Sequence, residues 1–278
     1  DLINEHGVYV DSGVVNVALI GNTVRNTGPS GDGLKIQHYT AQGGTPQNCV
    51  IVGNTTENTG GAGISVLNSI PDASPTRGTG ITITGNQIRY AGGVGISARY
   101  WNDINISSNS ISVTGLEGIA INGCNDGQIS NNHISNTQRN GIYTGTVENN
   151  NIDIHGNQIK NPGLAGATSF DSVGFRMTGG TYTRFKNNRI IGDGVNMEYG
   201  IFIEAGDQTT LSIVGNDVRG GDYGIRYKNN TDVLRELKDN IFQGSTLPAF
   251  NAPPTHIGLR WRKLAQHFNR SPINLNKP

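Results

Sequence analysis

Residues 81–103 read ITITGNQIRYAGGVGISARYWND, and residues 104–123 read INISSNSISVTGLEGIAING. The second stretch repeats the first. Ile81-x-Ile83 recurs as Ile104-x-Ile106, Asn86-x-Ile88 as Asn109-x-Ile111, and Gly95-Ile96-x-Ala98 as Gly118-Ile119-x-Ile121, each shifted by 23 residues. A fixed period of this size marks a repeat architecture and has to be settled before any local reading. Each unit holds three short segments of alternating apolar residues, separated by Gly, Asn and Ser. Alternation with period two means strands with one face buried. Three such strands per turn describe one coil of a parallel β-helix.

The pattern extends in both directions. The turn asparagine recurs as Asn22, Asn54, Asn86, Asn109, Asn132, Asn157, Asn188, Asn216 and Asn240. The glycine-led strand recurs at Gly7, Gly33, Gly63, Gly95, Gly118, Gly141, Gly174, Gly200 and Gly224. This gives about nine coils, a rod on the order of 43 Å long at about 4.8 Å per coil. The asparagines are expected at a left-handed corner, with their amides bonded from coil to coil. The glycines serve close backbone approach rather than a phosphate cradle. The expected division is a β-helix over 1–245 and a non-repeat capping segment over 246–278. That segment carries five basic residues and no acidic ones. A solenoid end exposes raw core and has to be capped; contact of this basic tail with another chain or an acidic glycan is the alternative.

Composition narrows the classes. The chain has 278 residues, 40 of them glycine, and zero formal net charge, so nothing general points to nucleic acid or a membrane surface. No apolar run of the length of a membrane-spanning helix occurs. The N-terminus carries neither a start methionine nor a signal peptide, and it reads as a fragment or a processed product. The two cysteines, Cys49 and Cys124, fall about three coils apart in the repeat register, or roughly 14 Å. A disulfide cannot span that, so buried free thiols are expected.

The arrangement resembles the pectate-lyase-like right-handed parallel β-helix superfamily, over about residues 5–245. Its carbohydrate-binding and sugar-hydrolase repeats occur in phage tailspikes, polysaccharide lyases and alginate epimerases. The resemblance names the sheets: Gly95-Ile96-x-Ala98 in the first, Ile81-x-Ile83 in the second, Ile88 in the third. It implies a polysaccharide lying across the first sheet and the loops beside it, and a protein that is extracellular or on a virion surface. Hydrolysis of a glycosidic bond and β-elimination on a uronic acid both stay open. So does a non-catalytic adhesin or spike shaft, and a tailspike would bring a homotrimer. The sharper motifs of the superfamily are missing. The chain has no Asp-Pro, Gly-Asp-Asp or Gly-His-Gly, and the lone Asn230-Thr231-Asp232 is read as coincidence.

The outward positions of the first sheet are Tyr9, Lys35, Ser65, Ser97, Ala120, Tyr143, Arg176, Phe202 and Arg226. Two residues further on lie Arg99, Glu204 and Lys228, among others. Aromatic faces pack on sugar rings and Arg pairs with sugar carboxylates, so Tyr143, Phe202 and Arg226 are candidate substrate contacts. The competing reading is a polar stack in which Glu204 pairs with Arg176, Arg226 or Lys228.

Two clusters stand out. Arg99-Tyr100-Trp101 follows a first-sheet strand whose inward positions are taken by Ile96 and Ala98. Trp101 is therefore expected to be exposed and to stack on a sugar; the alternatives are packing on a neighbouring coil or burial in an oligomer contact. Asp103 and Asp126 then stack one coil apart and could share a calcium ion. In the second cluster, Glu198 and Asp222 each lie two residues before the strand glycine in consecutive coils, with Asp171 one coil earlier. Such carboxylates suit glycoside hydrolysis, with Glu204 and Arg176 as further catalytic candidates. Insertions over 38–47, 68–80, 160–173 and 191–199 are the loops expected to carry function.

Overall fold

The computed structural model describes residues 5–11, 13–39, 44–69, 77–147, 149–165, 172–204, 211–228 and 234–243. Asp171, Asn230-Thr231-Asp232 and the C-terminal segment 246–278 lie outside them, as do parts of three of the four insertions.

Among the described residues, 27 strands form three nine-stranded parallel sheets, and each strand pairs with the strand three places away in the chain. One coil runs Ile96–Arg99, Trp101–Ser107 and Ser110–Thr114. The next runs Ile119–Asn122, Asn125–Ser130 and His133–Thr137. Register follows the repeat: Ile106 pairs with Ile83 on one side and Ile129 on the other, and Ile111 with Ile88 and Ile134. Alternation puts these isoleucines inside the tube, where all are fully buried. Each such side chain contributes about 1.5–3 kcal/mol on leaving water. The described residues contain no helix long and apolar enough to cross a membrane.

Glycine leads the first-sheet strand because the coils meet there. A Cβ at Gly95 would lie 2.5 Å from the Gly118 carbonyl oxygen and 2.5 Å from Ile111 Cγ2. The cysteines are free and buried, and burial, as the largest cause, pushes the Cys124 thiol up to about 11.

The asparagine line forms a continuous ladder. Asn86 donates both its backbone N–H and its Nδ2 to Asn109 Oδ1, at 3.0 and 2.9 Å. Asn109 does the same to Asn132, and Asn132 to Asn157. Each amide also donates across to the preceding coil, as Asn132 Nδ2 does to the Ile106 carbonyl at 2.9 Å. The left-handed corner is not at these residues, contrary to expectation. It falls one residue earlier, at Gly21, Gly53, Gly85, Ser108, Asn131, Gly156, Asn187, Gly215 and Asp239, with φ between 51 and 68°. The ladder residue is an asparagine for its amide, and its neighbour makes the bend.

Candidate functional site

The outer face of the first sheet carries the outward residues in the expected register. Tyr9 pairs with Lys35, Lys35 with Ser65, Ser65 with Ser97, and so on through Tyr143, Arg176, Phe202 and Arg226. The face is uneven. Its middle coils carry Ser65, Ser97 and Ala120, while Tyr9 and Lys35 stand at its first two coils and Tyr143, Arg176, Phe202 and Arg226 at its last four.

Those last coils bring most of the candidates together. Arg176 donates to Glu204 Oε2 from Nη2 at 2.6 Å and from Nε at 3.1 Å, and Lys228 donates to Glu204 Oε1 at 2.8 Å. Burial opposes the Glu204 charge, but the bonds from Lys228 and Arg176 outweigh it and hold the carboxyl below its ordinary value. Arg176 lies over the Tyr143 ring, 5.6 Å from its centre. Arg226 lies over Tyr199 at 5.1 Å and Phe202 at 5.9 Å, and donates to the Tyr199 hydroxyl. Phe202 and Tyr199 stack with ring centres 5.1 Å apart.

Phe202 points outward but is fully buried, packed with Val173 and Tyr199 and flanked by Tyr223. The expectation of an open aromatic ladder fails here because the residue before the strand glycine also turns outward. In consecutive coils that residue is Val173, Tyr199 and Tyr223, and the first two close over Phe202. Tyr199 was missed from the sequence. Its signal was available: a bulky aromatic stands directly before the strand glycine in the last two coils only.

Glu198 and Asp222 occupy matching places in consecutive coils, since Tyr199 pairs with Tyr223 and the Tyr223 N–H donates to the Glu198 carbonyl at 2.9 Å. Glu198 is half-buried and Asp222 exposed. Burial, and then a hydrogen bond to the Glu198 side chain, push the Tyr199 phenol up to about 12. Just before Glu198, Asp193 caps the turn of the 191–199 insertion, accepting from the Val195 and Asn196 N–H groups at 2.9 and 2.8 Å.

The fourth coil departs from expectation. Trp101 is fully buried, and its Nε1 donates to the Val66 carbonyl at 3.2 Å. Tyr100, not Trp101, makes the corner, with φ 59°. The turn is therefore complete before Trp101, which becomes the first inward residue of the next strand and pairs with Gly78. It has no face open to a sugar. Tyr100 is half-buried, over Gly123 of the following coil, and Arg99 is exposed.

Asp103 and Asp126 are exposed, on the second sheet, away from this face. Both are left-handed, at φ 55 and 49°, in a column with Asn16, Asn48, Gly80 and Asn151. Asp and Asn are the side chains that tolerate that conformation best after glycine, which accounts for the stacking. Asp126 Oδ1 accepts from Asn151 Nδ2 at 2.7 Å. A calcium ion takes about six to eight oxygens, and no group of three or more His, Cys, Asp or Glu suited to an ion occurs among the described residues.

A tube of three nine-stranded parallel sheets defines a β-solenoid. The family model described as right handed beta helix region matches residues 6–173, and the chain belongs to that family. Solved structures share the fold at low identity. The enzymatically active domain of tailspike protein 2 from bacteriophage CBA120 is 13% identical, covering 87% of this chain and 41% of that one, with a TM-score of 0.53. An exopolygalacturonase from Thermotoga maritima is 13% identical, covering 77% and 55%, with a TM-score of 0.51. The A-module of the mannuronan C-5 epimerase AlgE6 from Azotobacter vinelandii is 16% identical, covering 86% and 84%, with a TM-score of 0.50. The chain thus spans about two fifths of the tailspike domain. No curated protein matches the sequence.

Proposed function

We propose that the protein acts on an acidic polysaccharide laid along the outer face of the first sheet, and that it hydrolyses a glycosidic bond near Glu198 and Asp222. The observation that carries this reading is the placing of Tyr143, Arg176 and Arg226 along the last four coils of one sheet face. Glu204 and Tyr199 anchor the two guanidinium groups, which suits them to hold sugar carboxylates at a spacing of about 4.8 Å per coil.

Glu204 is kept ionised by its two cations, so it serves as a clamp for Arg176 and Lys228 rather than as a proton donor. Glu198 accepts from Tyr199 and Asp222 faces solvent, so the two carboxyls sit in different surroundings. Two carboxyls on neighbouring coils, flanking one glycosidic bond, are what its hydrolysis uses. β-Elimination with Tyr199 as base is less well supported, because its phenol is pushed up, away from the ionised form. The similar folds of a tailspike domain and of polysaccharide-acting enzymes support a setting outside the cell or on a virion surface; a homotrimer belongs to the tailspike reading alone. The competing reading is a non-catalytic glycan-binding shaft, favoured by the burial of Phe202 and the saturation of Glu204.

Reducing-end release across a panel of acidic and neutral glycans, with ultraviolet monitoring for unsaturated uronates, separates these readings. Glu198→Gln and Asp222→Asn should each lower turnover by about 10²–10⁴-fold at an unchanged melting temperature. Full activity in both variants rules the pair out.

A further inference from the structure

The first two coils, at the opposite end of the face, gather four side chains that the proposed reaction does not use. His6 and Tyr9 come from the first coil, with rings stacked 5.5 Å apart at 15°. Asp32 and Lys35 come from the second. The Lys35 ammonium lies 6.0 Å from the centre of the Tyr9 ring and 3.3 Å from Asp32 Oδ2. Asp32 is nearly buried, and its Oδ1 accepts the Ala62 N–H at 2.7 Å.

The hydrogen bonds here leave a conflict. The Asp32 backbone N–H donates to His6 Nδ1 at 2.9 Å. With Nδ1 accepting, a neutral imidazole carries its proton on Nε2. That nitrogen lies 3.2 Å from Lys35 Nζ, and an ammonium only donates. Two donors therefore face each other. Protonating the ring would turn an Nδ1–H toward Asp32 Oδ2, 3.5 Å away, but it removes the acceptor of the Asp32 backbone N–H and sets two positive charges side by side. Burial first, then Lys35, hold His6 below the usual imidazole value, against weaker opposing pulls from Asp32 and Glu5.

A negatively charged group that accepts from both donors resolves the conflict. A carboxylate has two oxygens for the purpose, and Tyr9, 42% exposed, supplies an aromatic wall for the ring that bears it. We propose that His6 Nε2–H and Lys35, walled by Tyr9, form a carboxylate-binding subsite for an acidic sugar at the N-terminal end of the face. Lys35 is five coils from Arg176, roughly 24 Å along the rod. The sugar rests on the polysaccharide reading above; the carboxylate chemistry does not.

The test follows the His6 ring by NMR in the full chain labelled at histidine, with His6→Gln for assignment. Glucuronate should move the His6 signals saturably and shift the ring's titration upward, whereas glucose should do neither and inorganic phosphate, which gains nothing from the Tyr9 wall, should respond more weakly at equal concentration. Lys35→Met should weaken glucuronate at least tenfold. Tyr9→Leu, which keeps both donors, should weaken it several-fold and serves if Lys35→Met does not fold. A His6 signal blind to glucuronate, an equal response to glucose or phosphate, or undiminished affinity in Tyr9→Leu overturns the subsite. A silent His6 in a protein that cleaves glycans sinks this proposal alone. A responsive His6 in a protein that cleaves none sinks only the hydrolase reading.

Discussion

The indole of Trp101 fills the space that a side chain at residue 78 would need: a Cβ on Gly78 would lie 2.6 Å from Trp101 Cε3. The two residues pair in adjacent coils, so the glycine of one turn makes room for the largest side chain of the next. Trp101→Ala should cost about 3–5 kcal/mol, as for other buried tryptophans. Gly78→Ala should also destabilise, and most of that loss should vanish in the Trp101→Ala background. Denaturant melts of the two single variants and the double measure it, and simple additivity would contradict the contact.

The ladder predicts an expensive polar deletion. Asn132→Ala removes the acceptor of two Asn109 donors and the donor to the Ile106 carbonyl, all buried. The loss should be about 1–3 kcal/mol, seen as a lower urea midpoint at an unchanged slope. Gln128→Ala removes only an exposed 3.4 Å contact to Asn105 and should stay within about 0.5 kcal/mol. Equal losses at the two sites would argue against the ladder as a source of stability.

Ile106 tests the register of the tube. It is fully buried between Ile83 and Ile129. Ile106→Asp buries an unpaired charge and should cost roughly 3 kcal/mol or more. An unchanged melting temperature would require a different inward set.

Glu204 gives a pH dependence with a defined sign. Its carboxyl is held below the ordinary 4.5 by Lys228 and Arg176, against burial. The folded value is the lower one, so its contribution is complete above about pH 4.5 and fades as pH falls through the folded value. Glu204→Gln should melt lower than the wild type at pH 7, and the gap should narrow at pH 3. A gap of the same size at both would mean that the charge is not what Arg176 and Lys228 respond to.

The repeat made the fold readable because a period of 23 leaves little freedom: once Ile81 and Ile104 are aligned, the inward and outward positions within each strand follow, though not those at the corners. The register of the first sheet, the amide ladder and the free thiols were all legible in that way. What periodicity does not carry is how far an outward side chain is covered. Phe202 faces out in register yet is closed over by Val173 and Tyr199, which depends on a second column of residues. Trp101 was misread through a single dihedral. With the corner at Tyr100, the same residue moves from the outside of one strand to the inside of the next. Asp103 and Asp126 align for a backbone reason, a left-handed column that sequence spacing shows only as a pair of acids. The His6 and Lys35 conflict depends on which imidazole nitrogen a backbone amide reaches, and no residue spacing shows that.

Every interior member of the asparagine ladder accepts from the turn before and donates to the turn after, so along that line no turn is chemically distinguished from its neighbours. Length can therefore change only in whole turns. Excising 87–109 would hand the bonds of Asn109 to Asn86 and leave the rest of the tube in step. What such an event alters is the outer face, where the two ends would draw closer by one increment of about 4.8 Å. The separation between the His6–Lys35 pair and the Arg176–Arg226 pair is thus a counted quantity rather than a continuous one. Selection for ligand length along this face would proceed by gaining or losing entire repeats.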